Sequence, residues 1–198
     1  MSLHADALTT LSAWHPPTPA QAELRDRYVE HLRAHSDGME RACYPDHLTA
    51  STLVLAADGS RVLLTLHAKA GRWFQLGGHC ESGDRTLAGA ATREAVEESG
   101  VVGLDVDPVP VQLSEHAVPF CDERGNVHHL DVRFVAVVDD ALLPVVSDES
   151  LDVRWWPVDA LPDAQPDLVE LVALGVARAQ STSSGGGSTL AAADQPSR

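Results

Sequence analysis

Hydrophobic positions divide the chain into stretches of different period. Near the start, Leu24, Tyr28 and Leu32 recur at i, i+4 and i+8, one stripe of an amphipathic helix. Thr18-Pro19-Ala20-Gln21 precedes them as a helix start, with Thr18 as N-cap, Pro19 in the first turn and Gln21 closing a capping box; Asp37-Gly38 ends the segment. From Leu48 the pattern changes to two apolar runs with β-branched residues, 48–57 and 60–68, joined by the hairpin signal Asp58-Gly59. A short strand, 71–76, then runs into Gly77-Gly78. Thr86 caps a second helix whose narrow apolar face is Leu87, Ala90, Ala91 and Ala95, and Gly100 stops it. Residues 101–113 alternate loosely around Pro108 and Pro110, as two short strands or one strand with an edge bulge. A polar loop, 115–126, leads to the cleanest strand, 127–138, with Leu130, Val132, Phe134, Ala136 and Val138 on one face. A strand at 153–156 and a helix from Leu168 to Gln180, capped by Asp167, follow. Residues 181–198 are Ser/Gly-rich with no apolar face and read as a disordered tail. This order of elements is that of an α/β/α sandwich around a mixed sheet.

Chemistry concentrates in the second helix. Glu94, Glu97 and Glu98 stand at i, i+3 and i+4 and project from one side of it. Like charges at that spacing destabilise a bare helix, and Arg93 offsets them only through an i, i+4 pair with Glu97. A hard divalent cation is the natural counter-charge, because Mg²⁺ takes oxygen ligands and bridges carboxylates to substrate phosphates.

The stretch from Gly77 to Val101 resembles the signature of the Nudix hydrolases, G-x5-E-x7-R-E-U-x-E-E-x-G-U, where U is a bulky aliphatic residue. Gly78, Arg93, Glu94, Glu97, Glu98, Gly100 and Val101 fall on it, with Ala95 a small occupant of the first U position. It departs from the pattern in two ways: Asp84 stands for the early Glu, and eight residues rather than seven precede Arg93. The resemblance implies a Nudix-type α/β/α sandwich with a mixed β-sheet over residues 46–180, preceded by an N-terminal helical extension, 1–45, and followed by the tail. It implies hydrolysis of a nucleoside diphosphate linked to another moiety, by water attack on phosphorus, with Mg²⁺ or Mn²⁺ as cofactor. On that basis the metal ligands are Glu94, Glu97, Glu98 and the carbonyl of Gly77, with Arg93 among the catalytic residues. The general base is a box Glu or an acid on a later loop, Glu149 ahead of Glu115. The extension packs on the core or pairs with a second copy in a homodimer.

Composition narrows the partners. With 14 basic against 29 acidic side chains the formal charge is −15, which repels long nucleic acids and anionic membranes. It also repels a phosphorylated small molecule unless bound cations invert the local potential. No segment has the length and apolarity of a membrane span, the N-terminus lacks a secretory pattern, and three cysteines form no C-x-x-C pair. The expectation is a cytoplasmic protein with reduced thiols.

Other candidates carry less. Of His128 and His129 only one can face the inner side of its strand, in a packed or hydrogen-bonded role. His79, Cys80, Cys121 and the His128-His129 pair include zinc-ligand types, but their spacings match no compact zinc pattern. Lys69 and Arg72 lie where substrate phosphate could be met, and Trp73 is either a base-stacking or a core residue. Two other functions share the fold: isopentenyl-diphosphate isomerisation, whose family has a catalytic Cys at the position of Gly77, and non-catalytic nucleotide sensing, in modules that often lose box carboxylates. The residues at these positions favour hydrolysis over both.

Overall fold

The computed structural model describes residues 1–138, 143–146, 150–163 and 165–185. Its centre is β1 (Asp46–Ala56), an eleven-residue strand buried along almost its whole length. One edge pairs in parallel with β6 (His128–Val138), from Asp46↔His128 to Ala56↔Val138. The other edge is shared. Thr49–Thr52 pair with β4 (Leu76–His79), while Val54 and Leu55 pair with β2 (Arg61–His67) across the Asp58-Gly59 hairpin. β3 (Arg72–Phe74) and β7 (Ser150–Pro157) join β2, and β5 (Gln112–Ala117) joins β6, all antiparallel. The sheet is therefore mixed and seven-stranded.

Side-chain alternation decides what each face carries. Leu48, Ala50 and Val54 of β1, with Leu130, Val132, Phe134 and Ala136 of β6, form one core with α1 (Leu3–Ala13), α2 (Pro19–Ala34) and α3 (Leu87–Ser99). On the opposite face Leu53, Leu55, Val62, Leu64 and Val135 pack against Leu168, Leu171 and Val172 of α4 (Pro166–Gly185). Helices thus cover both faces of the sheet. The α4 side is apolar at one end only: further along, β1 and β6 present His47, Thr49, Ser51, His129, Asp131 and Arg133 instead. Among the described residues no helix is long and apolar enough to cross a membrane.

Several local expectations need correction. The sequence pattern does not mark α1, because its stripe of Leu3, Ala7 and Leu11 is diluted by alanine and threonine; Asp6 from it accepts the Leu87 amide at 2.9 Å and so caps α3. Thr18 caps α2 by accepting the Gln21 amide at 3.3 Å, but the Gln21 side chain closes no capping box. It clamps the edge of β5 instead, donating to the Leu113 carbonyl at 2.9 Å and accepting the Leu113 amide at 2.7 Å. Pro108 and Pro110 leave only an isolated bridge, Val106 to Ala136, before β5 begins at Gln112. Glu115 and His116, expected in a loop, lie on that strand. α4 runs to Gly185, so residues 181–185 are helical and not part of a tail.

The glycine pair lies within β4, and its position explains the residue type. A Cβ on Gly77 would stand 2.2 Å from Ser51 Cβ, 2.6 Å from Ser51 Cα and 2.8 Å from the Ala50 carbonyl oxygen. These atoms belong to the central strand and cannot give way. Gly77→Ala is expected to cost about 3 kcal/mol of stability, at the upper end of overpacking penalties, read as a lowered urea midpoint. An unchanged midpoint would show that β4 can move off β1.

Candidate active site

α3 is held at both ends by its sequence. Thr86 accepts the Gly89 amide at 3.0 Å, and Gly100, at φ 66°, takes the left-handed cap that a Cβ would oppose. Leu87, Ala90, Ala91 and Ala95 are fully buried, so the small residues bring the helix close to β1 and β4. Along its edge the three glutamates do not share one environment. At about 100° per residue, Glu97 lies about 60° to one side of Glu94 and Glu98 about 40° to the other. Glu98 is accordingly only 5% exposed and accepts the Gly77 amide at 2.9 Å. Glu94 lies over Gly78, where a Cβ would come within 2.7 Å of its Oε2. Glu97, with a side chain 57% exposed, turns outward.

Arg93 organises this edge. It donates through Nε and Nη2 to the two carboxylate oxygens of Asp84 at 3.1 and 3.0 Å, and through Nη2 to the His79 carbonyl at 2.9 Å. Its Nη1 reaches Glu94 Oε1 and Glu97 Oε2, both at 2.9 Å, the latter being the expected i, i+4 pair. The fork to Asp84 comes first among the bonds that hold the guanidinium charged. Burial alone would raise the Asp84 carboxyl, but Arg93 and the Glu81 amide hold it below its usual range. Asp84 thus orients Arg93.

Beside this edge is a cavity of about 450 Å³. Its floor is the polar half of the sheet face, with Thr49, Ser51, Asp131 and Arg133; Gly77, Gly78 and Glu98 form one wall, and Phe74 and Phe120 stand in another. Arg133 is 3% exposed and spans two carboxylates, Asp131 at 2.9 Å and Asp167 at 2.6 Å, as well as Gln112 at 2.8 Å. Asp131 also accepts from Thr49, Ser51 and Gln75 at 3.1, 2.8 and 3.2 Å. Burial works to raise the Asp131 carboxyl, yet the Arg133 charge, then His116 and the Ser51 hydroxyl, keep it below the ordinary value. Histidines at the cavity's far end are neutral at pH 7: burial, with His47 beside it, pulls His79 down to about 4, and burial beside His79 pulls His129 down to about 3.

Comparison with known proteins bears on what such a site does. The NUDIX domain profile matches residues 45–174. The chain belongs to the Nudix family. Among solved Nudix structures it is similar to a NUDIX-family hydrolase from Clostridium perfringens, at 21% identity and TM-score 0.52, over 69% of this chain and 97% of that one. It also resembles an Ap4A hydrolase from C. elegans, at 17% identity and TM-score 0.52, over 70% and 98%. A third is the NUDIX domain of Shewanella oneidensis NrtR complexed with ADP ribose, at 20% identity and TM-score 0.51, over 76% and 96%. At these identities the likeness is one of fold. No curated protein matches the chain in sequence.

Within this Nudix domain the remaining candidates separate. Arg93, Glu94 and Glu98 meet at the glycine pair, with Glu97 at the outer end of the Arg93 fork. Glu115 is directed away from the cavity, because alternation on β5 turns His116 inward, and it pairs with Arg27 of α2. Glu149 lies outside the described residues. Trp73 is half-buried against the core on the α4 side, edge-on to Trp156 at 5.2 Å. Lys69 and Arg72 both line the cavity, with Arg72 held by Asp163 at 2.9 Å. His129 faces the cavity, while His128 pairs with Asp46 at 3.1 Å. Asp131, Arg133, Phe74 and Phe120 were not singled out from the sequence. The alternation of His129, Asp131 and Arg133 against Leu130, Val132 and Phe134 was the available signal: a strand with one wholly polar half-face inside a covered sheet needs a polar site to face.

Proposed function

We propose that this Nudix domain is a divalent-metal-dependent pyrophosphohydrolase, cleaving the diphosphate bond of a nucleoside diphosphate linked to another moiety. The observation that carries the reading is the placement of Glu98 in the cavity wall, bonded to the Gly77 amide, with Glu94 over the adjoining Gly78. The residues fit a hard cation. Among the described residues Arg93 bonds to three carboxylates, Asp84, Glu94 and Glu97, and Glu98 stands beside them, so carboxylates outnumber that guanidinium. The donors are all oxygens, and the missing Cβ at Gly78 makes room for the Glu94 carboxylate. Glu94, Glu97, Glu98 and the Gly77 carbonyl would hold Mg²⁺ or Mn²⁺, which supplies charge neutralisation at the phosphates and a bound water of lowered pKa.

The protein's own groups do the positioning. Arg93 and Asp84 fix the Glu94 side chain, and the Gly77 amide fixes that of Glu98. With Glu115 turned to α2, the proton of the attacking water falls to Glu149 or a box glutamate. Lys69 and Arg72 bring positive charge to a cavity in a strongly acidic protein. An isomerase reading is weaker, because Gly77 offers no thiol and Ser51 leaves no space for one.

Phe74 and Phe120 supply the aromatic surface that Trp73 does not, with His67 6.3 and 6.0 Å from their ring centres. Stacking of a base on an aromatic ring is worth about 1–3 kcal/mol. Phe120→Ala is expected to raise KM about tenfold with kcat nearly unchanged; a fall in kcat at constant KM would remove Phe120 from base binding. One relative is named as an Ap4A hydrolase and another is complexed with ADP ribose; both molecules join a nucleoside to two or more phosphates, which supports the substrate class. The reaction itself is tested by a panel of dinucleoside polyphosphates, ADP-sugars and nucleoside triphosphates with Mg²⁺ or Mn²⁺, read as phosphate after phosphatase treatment. Metal-dependent release from at least one member is expected, and none from any would defeat the proposal.

A further inference from the structure

Three strands and a turn converge on one thiol. His47 on β1 and His129 on β6 are a cross-strand pair in the parallel register, and His79 ends β4 opposite Thr49. Cys121 lies in the β5–β6 connection, where its amide donates to the Val118 carbonyl at 3.0 Å. The Nε2 atoms of His79, His129 and His47 stand 3.3, 3.5 and 3.9 Å from Cys121 Sγ. All four potential ligand atoms lie within 4.8 Å of one another. In a tetrahedral zinc site, Zn–N of about 2.0–2.1 Å and Zn–S of about 2.3 Å set N···S separations of about 3.5 Å. The three observed distances bracket that value.

Hydrogen bonding alone does not account for the cluster. One S–H proton serves one imidazole. His47 Nδ1 faces the Cys43 carbonyl at 3.2 Å, so the ring's proton sits on Nδ1 and its Nε2 turns a lone pair toward the sulfur. This carbonyl partner is also what orients a metal-bound histidine. Cys80 and His128, the neighbouring candidates, stay out: Cys80 is buried in the core with α3, and His128 pairs with Asp46.

We propose that His47, His79, Cys121 and His129 bind a zinc ion in a closed four-ligand site that fastens the β5–β6 connection over one end of the cavity. Three imidazoles and a thiolate select a borderline-soft ion over Mg²⁺, which separates this site chemically from the carboxylates of α3. With four protein ligands the role is structural. Val118 and Val127 pack with Cys121 under the connection, and Arg41 holds the Cys121 carbonyl at 3.0 Å, so the ion would complete an anchor that is already partly built. His79 also links the two sites, since Arg93 grips its backbone carbonyl.

The test loads the chelator-treated 198-residue chain with Zn²⁺ or Co²⁺. About one zinc per chain and a Co²⁺ spectrum with a thiolate charge-transfer band and strong tetrahedral d–d bands are expected. Cys121→Ser should abolish the charge-transfer band and weaken zinc binding on the order of 100-fold or more, while Glu98→Gln keeps both. A wild-type protein that binds less than about half an equivalent of zinc, or whose Co²⁺ spectrum lacks the thiolate band, overturns the assignment. So does a folded Cys121→Ser variant with the wild-type spectrum. Should that variant not fold, the wild-type stoichiometry and spectrum decide. None of these readouts depends on hydrolytic activity.

Discussion

Glu98→Gln is expected to lower kcat by about 10³-fold or more and leave the fold intact. The two halves of that expectation have separate causes. Glutamine keeps a carbonyl oxygen where the carboxylate now accepts the Gly77 amide, so the join between α3 and β4 survives. What disappears is the charge, and with it the buried anionic oxygen that the proposed cation would take. Losing a metal ligand of this kind is worth on the order of 4 kcal/mol of transition-state stabilisation, which is about 10³ in rate. Steady-state kinetics on the best substrate of the panel, with urea melts of both proteins, measure the two effects independently. A variant with the wild-type melt and full kcat would remove α3 from the chemistry. A variant that loses activity only because it unfolds would show Glu98 as a brace between helix and strand.

Arg133→Met should produce the largest loss of stability among the cavity residues, about 3–5 kcal/mol at neutral pH. Arg133 is surrounded by acceptors from three elements, Asp131 on its own strand, Gln112 on β5 and Asp167 on α4. Methionine preserves much of the volume but leaves the Asp131 carboxylate buried without its counter-charge. The penalty has a pH signature. In the native protein Asp131 titrates below its ordinary value, so its contribution is present above the unfolded value of about 3.9 and fades as pH falls through the depressed folded one. Without Arg133 burial dominates and lifts Asp131 above about 3.9, so the variant's deficit is full at neutral pH and shrinks on acidification. Asp131→Asn combined with Arg133→Met should recover part of the loss, because no orphaned charge remains. A deficit that does not change between neutral and acid pH would show that packing, rather than the ion pair, sets the cost.

These two residues also mark where sequence pattern is informative and where it stops. Glu98 sits in a contiguous run whose meaning is local: helix period, cap and glycine stop are all visible within Thr86–Gly100, and α3 forms with those caps. The Asp58-Gly59 hairpin and the apolar face of β6 are equally local. Arg133 is different, because its partners come from positions 112, 131 and 167, and no short-range period links them. The same holds for His47, His79, Cys121 and His129, whose spacings resemble nothing compact until the parallel register of β1 and β6 sets His47 beside His129. Glu115 was misplaced because two prolines obscured the start of β5 and hid the alternation that turns it toward α2. Gln21 fitted a capping pattern, yet an unpaired edge of β5 was the stronger claimant on its amide. α1 went unread since alanine at the centre of its stripe buries as well as leucine when a neighbouring helix comes close.

Glu94 and Glu98 are proposed to make a cation site against the glycine pair. Mn²⁺ titration of the wild-type protein and of a Glu94→Gln/Glu98→Gln variant, followed by the free-ion EPR signal, addresses it without reference to any substrate. The wild type should take up Mn²⁺ and the variant should bind at least about tenfold more weakly, as loss of two anionic oxygen ligands requires. Equal uptake by both proteins would place the cation elsewhere.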